Sequence, residues 1–201
     1  MPLVEVAVGF AAIEGALWSR KPAQFAWALV AFTAVALWTW RSSQSARELG
    51  VGKHCLADSL WIVPTAAVVC GIAILTAWFA GSLHGLLGAR APVWHALLYA
   101  VWALVQEFLM LSFIFVRFEE TAGTNPAIVA TGALFALAHI PNLLLIYVSL
   151  GMSLAFCWAF KRYRNIYPLA VAHAMLGITL SIILPNAVTH YMRVGISYYV
   201  R

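Results

Sequence analysis

From Pro126 to Phe160 the chain carries no Lys, Arg, Asp or Glu, and this uncharged run limits the possible folds more than any other feature. As one helix it would extend about 52 Å at 1.5 Å per residue, well beyond the roughly 30 Å of bilayer hydrocarbon. It must therefore be broken. The break is written in His139-Ile140-Pro141-Asn142: Pro141 lacks an N–H and disfavours helix at the residue before it, and Asn142 is a turn former. Two short spans result, with the titratable ring of His139 at their junction.

The rest of the chain has the same character. It is 64% hydrophobic and 9% charged, against roughly half apolar and a quarter charged in soluble domains. Further apolar runs lie at about 3–19, 24–40, 59–80, 94–116 and 166–184. The expected fold is all-α, a polytopic transmembrane helical bundle of about seven to eight spans. It reads as a single domain over 1–201, with accessory spans in 1–93, a core in 94–184 formed by spans four to seven, and 185–201 as an interfacial tail or short eighth segment. The N-terminus has no basic region ahead of its first apolar run and reads as a retained span.

The net charge of +5 belongs to loops between spans, so it signals topology and lipid headgroups, and no nucleic-acid partner is expected. One face holds Arg41, Arg47, Lys53, Arg117, Lys161, Arg162 and Arg164; the other holds Arg20, Lys21, Arg90, Arg193 and Arg201. The excess makes the first face cytoplasmic. Cys55, Cys70 and Cys157 are widely spaced, with no C-x-x-C pattern, and read as packing residues. His54, His84, His95 and His190 fall in loops or at interfaces. The Gly81 to Gly85 spacing is too common in apolar chains to imply a dimer, and the oligomeric state stays open.

Ionisable residues at membrane depth are costly and point to function. Glu14, Glu107, His139 and His173 are the clear cases. Counted at 1.5 Å per residue from the Arg117/Lys161 face, Glu107 lies about 15 Å deep, His139 about 20 Å and His173 about 10 Å. One carboxylate and two imidazoles thus share a layer. Glu107 suits a general base that takes a proton from water, His139 can hold that water or donate to a leaving amine, and His173 can stabilise an oxyanion. The set describes a peptide hydrolase acting at the bilayer. Glu14 has no partner in the layer and reads as structural or as part of a substrate path. Zinc held by Glu107, His139 and His173 is the chemical alternative; it leaves no second carboxylate as base except Glu14, and no H-E-x-x-H is present, so no cofactor is expected.

The stretch "FALAHIP", followed by "LGMSLAFCWAFKRYRNIYPLAVAHAMLG", resembles the second and third motifs of the CAAX protease and bacteriocin-processing family of glutamic intramembrane endopeptidases. The likeness covers about residues 94 to 184. Phe135 and His139 match the family's F-x-x-x-H, and His173 matches the first position of H-x-x-x-N, with Gly177 in place of the Asn. The first motif, E-E-x-x-x-R, aligns with Gln106-Glu107 and Leu111, so the first Glu and the Arg are both replaced and the motif's net charge is kept.

The resemblance implies catalytic roles for Glu107, His139 and His173, with Phe135, Gln106, Asn142 and Gly177 as supporting or oxyanion candidates. Two placements stay open: the helix aims Glu107 at the pocket, or Gln106 occupies it and the protein is a non-hydrolytic relative. A one-residue shift, with Glu107 first and Ser112 at the Arg position, is the further alternative. The implied substrate is a membrane-anchored protein or peptide, cut near the bilayer surface of a prokaryotic inner (plasma) membrane to process a C-terminal or sorting signal. A peptide-binding or immunity protein is the competing class. A transporter is disfavoured because only the second half has a broken span.

Overall fold

The computed structural model describes residues 2–83 and 93–200; His84, Gly85, Arg90 and Arg201 lie outside the described residues. No strand occurs among the described residues. The helices are α1 (Pro2–Trp18), α2 (Ala23–Arg41), α3 (Leu56–Ser59), α4 (Ile62–Phe79), α5 (Val93–Glu107), a π-helical segment (Phe108–Phe115), α6 (Val116–Ala122), α7 (Thr124–Leu137), α8 (Leu143–Tyr163), α9 (Tyr167–Ile183) and α10 (Asn186–Thr189).

The protein is an integral membrane helical bundle. Ala23–Arg41, Leu56–Phe79, Trp94–Ala122 and Leu143–Tyr163 are long and apolar enough to cross a membrane, and Thr124–Leu137 and Tyr167–Ile183 are shorter apolar helices. The uncharged run divides as its Pro-Asn pair requires: α7 stops at Leu137, a turn carries His139, and Asn142 caps α8 by accepting the Leu145 N–H. The tail after α9 folds into short turns, its longest helix being four residues.

α9 packs between α4 and α5, α7 packs on α8, and α1 packs on α2 and α6. The π segment is the centre of the core, with every residue from Met110 to Phe115 buried. Its widened turns, bonded one residue further back than in an α-helix, begin directly after Glu107. Leu111 and Phe115 pack with Phe135, Phe156, Phe160 and Leu169, while Phe113 and Ile114 face Val6 and Val35.

Arg117 corrects the charge reading. It is not a free loop cation: its side chain is only 2% exposed, and its Nε donates to Glu5 Oε2 at 2.7 Å. The guanidinium also lies 4.0 Å from the centre of the Phe113 ring. A buried charge needs such a partner, since an unpaired one costs several kcal/mol. Arg164 is likewise paired, with Glu119. Both cations join α6 to other parts of the bundle and are weak evidence for membrane orientation.

The loop between α2 and α3 is the clasp that sets α9 against the π segment. Its carbonyls accept in succession: Leu49 from the Ser112 hydroxyl at 2.5 Å, Gly50 from the Ile166 N–H at 3.0 Å, and Val51 from the Tyr167 hydroxyl at 2.8 Å. Gly52 and His54 both accept from Asn165 Nδ2 at 3.0 Å, and Asn165 Oδ1 accepts the Tyr167 N–H at the start of α9. Gly50 has a positive φ of 69° and lies against Phe160, where a Cβ would collide with the ring, so only glycine suits it.

Asn165→Ala leaves two loop carbonyls and the first turn of α9 without their partner. A loss of about 1–3 kcal/mol is expected, measured as a lower melting temperature of the purified protein in detergent.

Candidate active site

α5 ends in two adjacent side chains that serve different surroundings, because neighbouring helix positions differ by about 100° in direction. Glu107 is 0% exposed and turns toward α9, where its Oε1 accepts from His173 Nδ1 at 2.7 Å. Gln106 turns the other way and lines a cavity of about 1010 Å³. Glu107 therefore engages His173, and Gln106 is among the α5 residues that line the open space.

The cavity runs between α1, α2, α5, the π segment and α7 to α9. Its walls are mostly apolar. The polar groups near α5 are Gln106, Tyr99, His139 and His173. His173 is 6% exposed; with Nδ1 committed to Glu107, Nε2 is the ring nitrogen left for chemistry. His139 has the same disposition for a different reason. Its Nδ1 lies 2.6 Å from the Phe135 carbonyl one helical turn back, and since a carbonyl only accepts, Nδ1 carries the proton and Nε2 has the lone pair.

Phe135 sets the spacing of the two imidazoles. Its ring makes edge contacts with His139, centroids 4.9 Å apart, and with His173, centroids 6.1 Å apart. Three of the expected residues, Phe135, His139 and His173, therefore surround one end of the cavity, and Glu107 reaches it through His173.

The other expected residues lie as follows. Asn142 is 1% exposed and holds the tail: its Nδ2 donates to the Thr189 carbonyl at 2.9 Å and the Arg193 carbonyl at 3.2 Å. With its Oδ1 capping α8 as well, its amide is occupied and cannot serve as an oxyanion donor. Gly177 lines the cavity one turn after His173. Leu111 and Ser112 are buried in the π segment; under the one-residue motif shift Glu107 meets His173, while Ser112, at the Arg position, bonds the Leu49 carbonyl. Glu14 accepts from Trp18 Nε1 at 3.0 Å, a local bond within α1. Cys157 is fully buried in the core. Among the described residues no group of three His, Cys, Asp or Glu side chains is arranged to hold a metal ion.

Sequence reasoning passed over Tyr99 and the tail. Tyr99 precedes Gln106 by two helical turns, so the two share a face of α5, and that spacing was the available signal. The tail residues Met192 and Val194 line the cavity, and Gly195 N–H donates to the Ile140 carbonyl at 2.8 Å. Nothing local in an aromatic, weakly basic tail marks it as a cover for a turn some fifty residues earlier.

Residues 88–179 match the family model described as type II CAAX prenyl endopeptidase Rce1-like. No curated protein and no solved structure matches the chain.

Asn142→Asp keeps the acceptor that caps α8 and loses both donors to the tail. Limited proteolysis is expected to remove residues after Pro185 at least several-fold faster than in the wild type, with α8 still intact.

Proposed function

We propose, from the match of residues 88–179 to the type II CAAX prenyl endopeptidase Rce1-like family model, that the chain hydrolyses a peptide bond in a membrane-anchored protein or peptide. The observation that carries this reading is the buried Glu107–His173 hydrogen bond at 2.7 Å, which leaves the histidine's second nitrogen beside an apolar cavity. A carboxylate bound to Nδ1 orients the ring, selects the tautomer with a basic Nε2 and stabilises the imidazolium that forms. Glu107 thus acts on water through His173.

The steps follow from the two Nε2 atoms. Water donates its hydrogens to His139 and His173, His173 takes a proton, and the resulting hydroxide attacks the substrate carbonyl. The tetrahedral oxyanion collapses as the His173 imidazolium returns the proton to the leaving amine. General base action of this kind contributes about 10²–10⁴ in rate. The chemistry uses side chains and water, without a metal. The apolar cavity suits the lipid-embedded part of the substrate, and the processing of a C-terminal or sorting signal in a prokaryotic inner membrane is the setting proposed.

Gln106 supports a second reading. A carboxamide cannot take a proton from water, and Gln106, not Glu107, lines the cavity. On this reading the protein binds a membrane-anchored peptide without cutting it, as an immunity protein would.

Purified protein in detergent or liposomes, incubated with a panel of membrane-anchored C-terminal signal peptides and read by mass spectrometry, separates the two. The hydrolase reading expects one defined cut, lost in His173→Ala and reduced about 10²–10⁴-fold in His139→Ala. Peptide crosslinked to the cavity but uncut would favour the binding reading. Chelator is expected to leave cleavage unchanged; loss in chelator with recovery on adding zinc would overturn the metal-free chemistry.

A further inference from the structure

Gly177 and Tyr99 occupy one place between them. A Cβ added at Gly177 would run into the Tyr99 phenol, whose nearest ring carbons would be 2.8 and 2.9 Å away. The hydroxyl lies nearer still, so it sits directly over α9 at residue 177. Residues four apart on a helix are neighbours on one face, and the phenol therefore stands one turn from His173 on the side of α9 that lines the cavity.

The ring is held in that position. It meets His173 edge-on, with centroids 6.4 Å apart and planes at 80°, while Gly177 leaves the room for its far end. Tyr99 is half-buried and lines the cavity together with Gln106, His139 and His173. The described hydrogen bonds of the protein engage both histidines through Nδ1, and none of them uses the Tyr99 hydroxyl. A phenol with its donor uncommitted, fixed beside a basic imidazole in an apolar cavity, is suited to a developing negative charge.

The geometry points to Tyr99 as a catalytic residue whose hydroxyl donates to the oxyanion of the tetrahedral intermediate, in the space that glycine at 177 leaves open. This inference rests on the hydrolase reading above. When the carbonyl carbon is attacked, its π electron pair moves to oxygen, and the Tyr99 O–H hydrogen bond stabilises that charge without transferring its proton. On collapse the pair returns to re-form the carbonyl as the C–N bond breaks.

Tyr99→Phe tests the donor alone, because the ring keeps its contacts with His173 and Gly177. Two readouts are needed: kcat and KM on a cleaved peptide, and the affinity of the same peptide with its scissile amide replaced by a phosphonamidate, a tetrahedral anionic mimic. Tyr99→Phe is expected to lower kcat about 10²–10³-fold, as removal of one oxyanion donor does, with KM little changed and phosphonamidate affinity reduced in parallel. If His173→Ala abolishes cleavage while Tyr99→Phe cuts and binds the phosphonamidate as the wild type does, the role of Tyr99 is overturned and hydrolysis stands. If the wild type cuts nothing, hydrolysis fails; phosphonamidate affinity then decides Tyr99 separately, its loss in Tyr99→Phe supporting the donor and its persistence overturning it.

Discussion

The hydrogen bond between Glu107 and His173 is the constraint on which the rest of this bundle depends. It joins α5 to α9 inside apolar surroundings, where a carboxylate without a partner would cost several kcal/mol. Both helices must then be held to within a fraction of an ångström. The π segment starts at the residue after Glu107 and is buried from Met110 to Phe115, and a clasp of five loop carbonyls holds that segment and the start of α9. They fix where the carboxylate and the ring meet.

A consequence is the division of labour at the end of α5. Glu107 is buried behind His173, and Gln106 faces the cavity. A carboxylate so enclosed has little access to water, but it can polarise an imidazole that has such access. The same pattern holds at His139, where the Phe135 carbonyl takes the place of the carboxylate as the partner of Nδ1. The two rings present equivalent nitrogens with unequal partners. The stronger, charged partner belongs to His173, which is why proton transfer is assigned there.

Much of the fold could be read in the sequence because membrane spans are set by hydrocarbon thickness and broken by Pro. The division at His139–Asn142 and the helical runs follow directly from those constraints. The layer of Glu107, His139 and His173 was visible by counting rises along each span. The facing of Gln106 against Glu107 was not, because a rotation of 100° separates them and the π segment changes the helix phase just beyond. Arg117 looked like a loop cation because its partner, Glu5, lies on the first helix. Asn142 looked available because its acceptors are backbone carbonyls of the tail, which carry no sequence signature. Arg117 and Asn142 each escaped the sequence through a contact with a distant segment.

The most direct test of the central claim is a double-mutant cycle on peptide cleavage with Glu107→Ala, His173→Ala and the pair, measured as kcat/KM. If Glu107 acts through His173, the double variant loses no more activity than His173→Ala alone, because groups that work as a unit are strongly non-additive. If the two losses multiply, Glu107 acts on water or substrate independently of His173, and the account given for this site is wrong.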